Sequence, residues 1–214
     1  MTQNSHGKTR RMVGLSLFTA LVVILQLLGS FIRFGPFSIS LVALPIVVGS
    51  ALYGAWAGVW LGFVFGMTVL LSGDAAAFLA VSVFGTLCTV LFKGVACGAA
   101  AGLVYKLIAP GEWVDTDGDG VKEQTKSFGN ATAAAVASAI VCPVVNTGVF
   151  LIGCLLFFMP TISQWAAGMG FENVGTYMIL GLVGGNFLVE LGTNVLLCPV
   201  ILRLIKLGRK DHRL

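Results

Sequence analysis

The chain alternates between long apolar runs and short polar segments. The apolar runs cover residues 12–29, 41–72, 79–108, 131–158 and 175–204. A helix rises about 1.5 Å per residue and the hydrocarbon core of a bilayer is about 30 Å thick, so runs of this length predict membrane-spanning helices. The run 41–72 is too long for one untilted span, and we divide it near Gly54 into spans 41–53 and 56–72. The pattern predicts an all-α membrane protein with six transmembrane helices in one bundle.

The distribution of Lys and Arg predicts the orientation of these spans, because basic residues accumulate in short cytoplasmic segments. They lie before the first span, between the fourth and fifth spans, and after the last: Lys8, Arg10, Arg11, Lys106, Lys122, Lys126, Arg203, Lys206, Arg209, Lys210 and Arg213. We therefore expect both termini in the cytoplasm, which requires an even number of crossings. Arg33, in the first external loop, and Lys93, within a span, depart from this rule and need another explanation.

Composition limits the classes of function that remain. The chain has 214 residues, of which 57% are hydrophobic and 10% charged. Six spans leave no room for a separate soluble domain, so we expect a single domain, residues 1–214, in the cell membrane. The net charge of +4 follows from the topology and does not indicate a nucleic-acid partner. No G-x-x-x-x-G-K-[ST] loop occurs, so partner subunits must supply any ATPase.

No metal or other cofactor is expected. The five cysteines are scattered through the apolar spans without a C-x-x-C spacing, and both histidines lie near the termini. The acidic segment 115–123 opens like a calcium-binding loop, but Lys126 occupies the position of the glutamate that should close the site. We interpret it as a solvated loop without an assigned role.

Polar side chains within the spans mark a candidate ligand site. Asn186 and Glu190 are four residues apart and share one helix face. An ionisable group costs about 2.5–3.5 kcal/mol or more at the bilayer centre, and it normally faces the bundle interior or a water-filled cavity. Lys93 lies at a similar depth, and so does Asn146, three residues after the helix-distorting Pro143. We expect four polar residues to converge, with one tyrosine nearer the outside: Lys93, Asn146, Asn186, Glu190 and Tyr177.

Other interpretations of these residues stay open. The asparagines could serve only as hydrogen-bonding groups between helices, and Lys93 with Glu190 could form a structural ion pair. The alternative function is a self-sufficient secondary transporter in which Glu190 couples proton movement to solute, although the sequence shows no inverted repeat. An enzyme is not expected, because no H-E-x-x-H or G-x-S-x-G motif occurs.

Glycines recur at every fourth position in two of the predicted spans. The two series are Gly54, Gly58, Gly62 and Gly66, and Gly94, Gly98 and Gly102. Small residues at this spacing let two helix backbones approach closely within lipid. Each series predicts either packing inside the bundle or a docking face for another protein.

Several segments resemble one family of transport proteins. The order of a short basic N-terminus, Ser16-x-x-x-Ala20, the loop 33–40, Leu-Pro-Ile-Val-Val-Gly at 44–49 and the Gly- and Trp-rich segment 52–62 is similar to the S component of energy-coupling factor (ECF) vitamin transporters. The resemblance covers nearly the whole chain. It implies a six-helix, multi-pass protein of a prokaryotic plasma membrane, which captures a water-soluble vitamin or related micronutrient from outside.

The resemblance also implies partners and roles for particular residues. The partners are a transmembrane coupling subunit and two cytoplasmic ATPase subunits, and the loaded S component topples in the membrane to release its cargo inside. Ser16 and Ala20 match the small-residue face that contacts the coupling subunit. Arg33 falls in the first external loop, which acts as a lid, and its charge suits a ligand carboxylate. The ligand pocket is expected in the outer halves of the fourth to sixth helices. Lys93 and Arg33 favour an anionic or amide-rich vitamin.

Overall fold

The computed structural model describes residues 3–31, 33–34, 37–38, 41–109, 112–114, 123–125 and 128–211. Within these residues, the helices are α1 (Gln3–Ser30), α2 (Ala43–Tyr53), α3 (Ala55–Leu71), α4 (Ala76–Leu79), α5 (Val83–Ile108), α6 (Phe128–Phe157), α7 (Met159–Gly168), α8 (Val174–Thr176) and α9 (Gly185–Asp211), with a π-helical segment, Tyr177–Gly184, between α8 and α9. Two antiparallel pairs of short strands lie in connections: β1 (Arg33–Phe34) with β2 (Phe37–Ser38), and β3 (Glu112–Val114) with β4 (Glu123–Thr125).

The helical architecture confirms the predicted all-α membrane class. Four helical stretches of the described chain are long and apolar enough to cross a bilayer: Arg11–Ser30, Val83–Ile108, Asn130–Phe157 and Val174–Ile205. Two shorter apolar helices, α2 and α3, have 11 and 17 residues. At about 1.5 Å per residue, α2 rises only about 16 Å, which is less than the hydrocarbon thickness. The count of six crossings and the cytoplasmic termini therefore stay predictions.

The break between α2 and α3 falls at Gly54, where the sequence analysis divides the long apolar run. Gly54 has a φ of 91°, a conformation that glycine adopts without the steric cost that other residues incur. Its backbone N–H donates to the carbonyl of Ser50 at 2.9 Å, so the end of α2 stays hydrogen-bonded. The helix thus breaks inside the apolar run while this backbone N–H stays satisfied, as lipid requires.

Apart from Gly54, the members of the two glycine series lie at a direct contact between α3 and α5, so the structure favours packing inside the bundle. A Cβ placed on Gly62 would collide with the backbone carbonyl of Gly94, and one on Gly58 would collide with that of Gly98. A Cβ on Gly94 would likewise collide with the backbone carbonyl of Gly62, and one on Gly98 with that of Gly58. We call this contact the glycine seam. Only hydrogen on the α-carbon permits the two backbones to approach this closely.

A short helix, α7, lies in the segment between the fifth and sixth predicted spans. Pro160 occupies its first turn, where a missing N–H costs nothing. Ile162 and Ala166, four residues apart, are buried. They belong to a second, smaller core with Phe78, Phe158 and Tyr177.

The π-helical segment forms the entry to α9. Its buried side chains are Tyr177, Met178 and Leu182. Glycines stand at positions 181, 184 and 185. A Cβ on Gly181 would lie 2.7 Å from the Tyr177 ring, so this glycine leaves room for that ring. π-helical turns are rare and are frequently found at functional sites.

Candidate functional site

One cavity lies at the end of the bundle where α3 ends, α5 begins and α6 ends. It is lined by Gln26, Phe65, Val69, Asp74, Ala75, Phe78, Thr86, Thr89, Val90, Lys93, Asn146, Phe150, Phe158, Asn186 and Glu190. Its volume is about 80 Å³. A water molecule needs about 10–15 Å³ of such space, so the cavity has room for several. The structure therefore brings four of the predicted site residues, Lys93, Asn146, Asn186 and Glu190, to one cavity.

Helical periodicity explains how the residues reach the cavity. Residues four apart lie on the same helix face, and α6 contributes Asn146 with Phe150 in this way. The last helical stretch contributes Asn186 with Glu190 at the same spacing. From α5 come Thr86, Thr89, Val90 and Lys93, which lie on one face over two turns. Each of these three helices thus presents one face to the cavity.

Lys93 and Glu190 line the cavity without forming an ion pair with each other. Lys93 Nζ lies 5.2 Å from the ring centroid of Phe150 and 5.8 Å from that of Phe65, which is cation–π distance. Glu190 is 4% exposed. Among the side chains that the structure describes, neither Lys93 nor Glu190 forms a hydrogen bond or an ion pair. A structural ion pair between them is therefore not formed in this state.

The amide side chains of the cavity are also incompletely satisfied. Asn146 Oδ1 and Asn186 Oδ1 are buried without a hydrogen-bond partner in the described part of the chain, and so are Gln26 Oε1 and Thr89 Oγ1. A buried polar group without a partner costs about 1–3 kcal/mol. Hydrogen bonding between helices is thus not what these asparagines do in this state.

Gln26 and Asp74 were not predicted as site residues. The Gln26 side chain is 1% exposed and donates from Nε2 to Asp74 Oδ2 at 2.8 Å. This hydrogen bond connects α1 to the segment between α3 and α4. The signal that singles out Glu190, a polar group in an apolar run, also applies to Gln26. Asp74 gave no such signal because it lies in a polar connection.

Aromatic residues close one side of the cavity. The Phe78 ring lies at edge-to-face angles to three others, with centroid distances of 5.5 Å to Phe150, 5.0 Å to Phe158 and 5.5 Å to Trp165. Such pairs contribute about 0.5–1.5 kcal/mol beyond the area they bury. The cluster joins α4, α6 and α7, and it gives the polar cavity a firm apolar wall.

Tyr177 is placed differently from the expectation. Its side chain is 2% exposed, packs on Phe171 at a centroid distance of 5.4 Å, and is not among the residues lining the cavity. The π-helical segment begins at this tyrosine. The structure therefore assigns Tyr177 to the smaller core.

The remaining predicted residues lie away from the cavity or outside the described side chains. The backbone of Arg33 pairs with that of Ser38 between β1 and β2, but its side chain lies outside the described residues. Ser16 and Ala20 are exposed on α1, one turn apart. The Ser16 hydroxyl donates to the carbonyl of Met12 at 2.9 Å. Most of the acidic segment, residues 115–122, also lies outside the described residues.

Fold and cavity together define a helical membrane protein that holds polar groups in a cavity at one end of its bundle. The family model for "ECF transporter, substrate-specific component" matches residues 10–202. The chain belongs to this family. Searches of curated proteins and of solved structures find no significant match.

Family membership confirms the resemblance stated above and fixes the general role. The protein is a multi-pass membrane component of a transporter, and substrate-specific components are transport subunits, not enzymes. Membership implies a small-molecule substrate and association with the other ECF transporter subunits.

Proposed function

We propose that the protein captures a small water-soluble vitamin or related micronutrient outside a prokaryotic cell. It then delivers this ligand to a complex of one transmembrane coupling subunit and two cytoplasmic ATPases. The observation that supports this function is a group of four polar side chains, Lys93, Asn146, Asn186 and Glu190, that line one cavity without hydrogen bonds or ion pairs to other described residues. A ligand that pairs with them removes the cost of leaving them unsatisfied, so they favour binding of a polar solute.

The proposed ligand set consists of these four residues, with Arg33 contributed by the first external loop as a lid residue. Tyr177 is left out, because its ring is packed in the smaller core. Pockets that enclose small molecules usually measure about 300–1,000 Å³. The cavity of about 80 Å³ is smaller, so the walls must move apart when a whole vitamin enters.

The direct test is ligand binding by the purified protein. We expect at least one water-soluble vitamin to raise the melting temperature, and Glu190→Gln to weaken its binding by about 1–3 kcal/mol, as for a hydrogen bond to a charged group. Glu172→Gln is the matched control, because Glu172 is exposed and does not line the cavity. If no vitamin changes the melting temperature of a stably folded preparation, the capture function is wrong.

A transport assay separates this function from proton-coupled transport. We expect liposomes that contain the protein alone to accumulate no vitamin, whether or not a proton gradient is applied. Addition of the coupling subunit and the ATPases with ATP should produce uptake. Proton-driven uptake by the protein alone, abolished in Glu190→Gln, would instead establish the secondary transporter.

The exposed face of α1 is the proposed docking site for the coupling subunit. Ser16 and Ala20 are exposed one turn apart, and the internal hydrogen bond of the Ser16 hydroxyl leaves no strong polar group for the partner to satisfy. Ala20→Leu should reduce copurification with the coupling subunit and the ATPases while vitamin binding persists. Ala133→Leu, at an exposed position of α6, is the control. Equal copurification of both variants would contradict docking at this face.

A further inference from the structure

Two side chains of opposite charge type line the same cavity, on different helices, without forming an ion pair with each other in the described structure. Lys93 comes from α5 and Glu190 from α9. The Lys93 ammonium rests against the rings of Phe65 and Phe150. Among the described side chains, no hydrogen-bond partner reaches the Glu190 carboxylate. The third ionisable residue of the lining, Asp74, is already engaged by Gln26.

This arrangement discriminates between ligands by charge. A simple anion would pair with Lys93 but would bring negative charge near Glu190 and leave that carboxylate buried without a partner. A simple cation would do the reverse. Removing the partner of a buried charge is strongly destabilising, because the remaining charge is left in a low-dielectric site. A ligand that carries both charges leaves neither group uncompensated.

We propose that the cavity binds a small zwitterion, with its anionic group at Lys93 and a protonated amine or similar charged N–H group at Glu190. This inference rests on the proposed capture function and names the chemical class of its ligand. It revises the preference for an anionic vitamin that the sequence suggests.

The rest of the lining fits such a ligand. Asn146 and Asn186 each carry a donor and an acceptor, and each has a buried oxygen without a partner in the described structure. They can therefore complete the hydrogen bonds of either end group. The Phe65 and Phe150 rings supply apolar surface for the body of the ligand, next to the ammonium that they already stabilise.

The test is a thermal-shift screen of the purified, detergent-solubilised protein. The probes are water-soluble vitamins, their biosynthetic precursors and amino acids, grouped as anions, cations and zwitterions. We expect the compound with the largest shift to be a zwitterion. Lys93→Met and Glu190→Gln should each weaken its binding by about tenfold or more. The controls Lys106→Met and Glu172→Gln, at exposed positions, should not.

The outcomes separate this inference from the function on which it rests. If the strongest binder is a plain anion or a plain cation, the zwitterion proposal is overturned while the capture function stands. If no soluble compound binds, both fail. A zwitterionic lipid headgroup has the same chemistry as a soluble zwitterion, so dioleoylphosphatidylethanolamine is included as a competitor. Displacement of the soluble zwitterion only by a large excess of this lipid would support the soluble ligand, whereas displacement by an equimolar amount would overturn its assignment as the specific ligand.

A double-mutant cycle on the ligand-free protein distinguishes ligand contacts from a structural ion pair. We expect Lys93→Met, Glu190→Gln and the double variant to show only weak non-additivity in melting temperature, because no ion pair or hydrogen bond joins the two side chains in the described structure. Strong non-additivity without ligand, together with unchanged ligand affinity, would show that they serve the fold instead.

Discussion

Helices α3 and α5 are in direct backbone contact along one part of their length and line the cavity along another. Through Gly58, Gly62, Gly94 and Gly98 their backbones touch. Toward the end of α3 and the start of α5, larger side chains line the cavity instead. The two regions adjoin, because Lys93 lines the cavity and the next residue, Gly94, lies in the glycine seam.

The difference shows how a lipid-embedded bundle can be rigid and still hold unsatisfied groups. Next to the seam, polar atoms are satisfied: the Ser138 hydroxyl donates to the Ala101 carbonyl at 2.9 Å. In the cavity they are not, since Asn146 Oδ1 and Asn186 Oδ1 lack partners in the described structure. We infer that close packing in the seam supplies stability, which offsets the cost of keeping the cavity ready for a ligand.

The largest expected effect comes from disrupting the seam. Gly62→Ala should lower the free energy of unfolding by about 1–3 kcal/mol, because its Cβ would meet the backbone of Gly94, which cannot rotate away. For a chain of this size each kcal/mol corresponds to about 2–4 °C in melting temperature. Gly148→Ala is the control, since nothing lies within 4 Å of the added Cβ. Equal stability of the two variants would contradict the seam.

A smaller effect, of a different kind, is expected in the cavity. Asn146→Ala should leave the stability of the ligand-free protein nearly unchanged, because the buried oxygen has no partner to lose within the described structure. Ligand affinity should fall by about 0.5–1.5 kcal/mol, the usual value of one hydrogen bond. Calorimetry and melting curves measure the two quantities separately, with Asn130→Ala, at an exposed position, as the control. A large loss of stability without ligand would make Asn146 a structural residue.

The smallest effect is expected for a satisfied polar group beside the seam. Ser138→Ala removes the hydrogen bond from α6 to α5 and should cost about 0.6 kcal/mol, the average for such bonds in a membrane protein. Ligand affinity should not change. Ser163→Ala, which removes a bond within α7, is the control. A change in affinity as large as that of Asn146→Ala would remove the distinction between the two regions.

The sequence predicts the chemistry of the cavity better than its geometry. Lys93, Asn146, Asn186 and Glu190 stand out because lipid penalises polar groups, and the structure places all four at one cavity. Gln26 is also a polar residue within an apolar run, so the same criterion selects it as a site residue. Asp74 could not be found in this way, because a carboxylate in a polar connection is common and its proximity to Gln26 depends on tertiary packing.

Residue periodicity also does not reveal which helices pack together or where a helix departs from α-helical geometry. The glycine spacing predicts close approach but cannot say which helix approaches, and the pairing of α3 with α5 emerges only in three dimensions. Helix α7 has ten residues, too few for a hydropathy signal. Periodicity also does not reveal the π-helical segment that begins at Tyr177, whose ring packs in the smaller core.

That segment has a further consequence for the last helix. Each i→i+5 turn winds more residues into one revolution than an α-turn does, so Tyr177–Gly184 delays the rotation of everything that follows. Asn186 lies two residues after this segment, and Glu190 lies one helical turn further along the chain. The underwound stretch therefore sets the angle at which both side chains face the cavity. Shortening it by one residue would swing the carboxylate by roughly 100° toward another neighbour, without changing any residue of the binding surface itself.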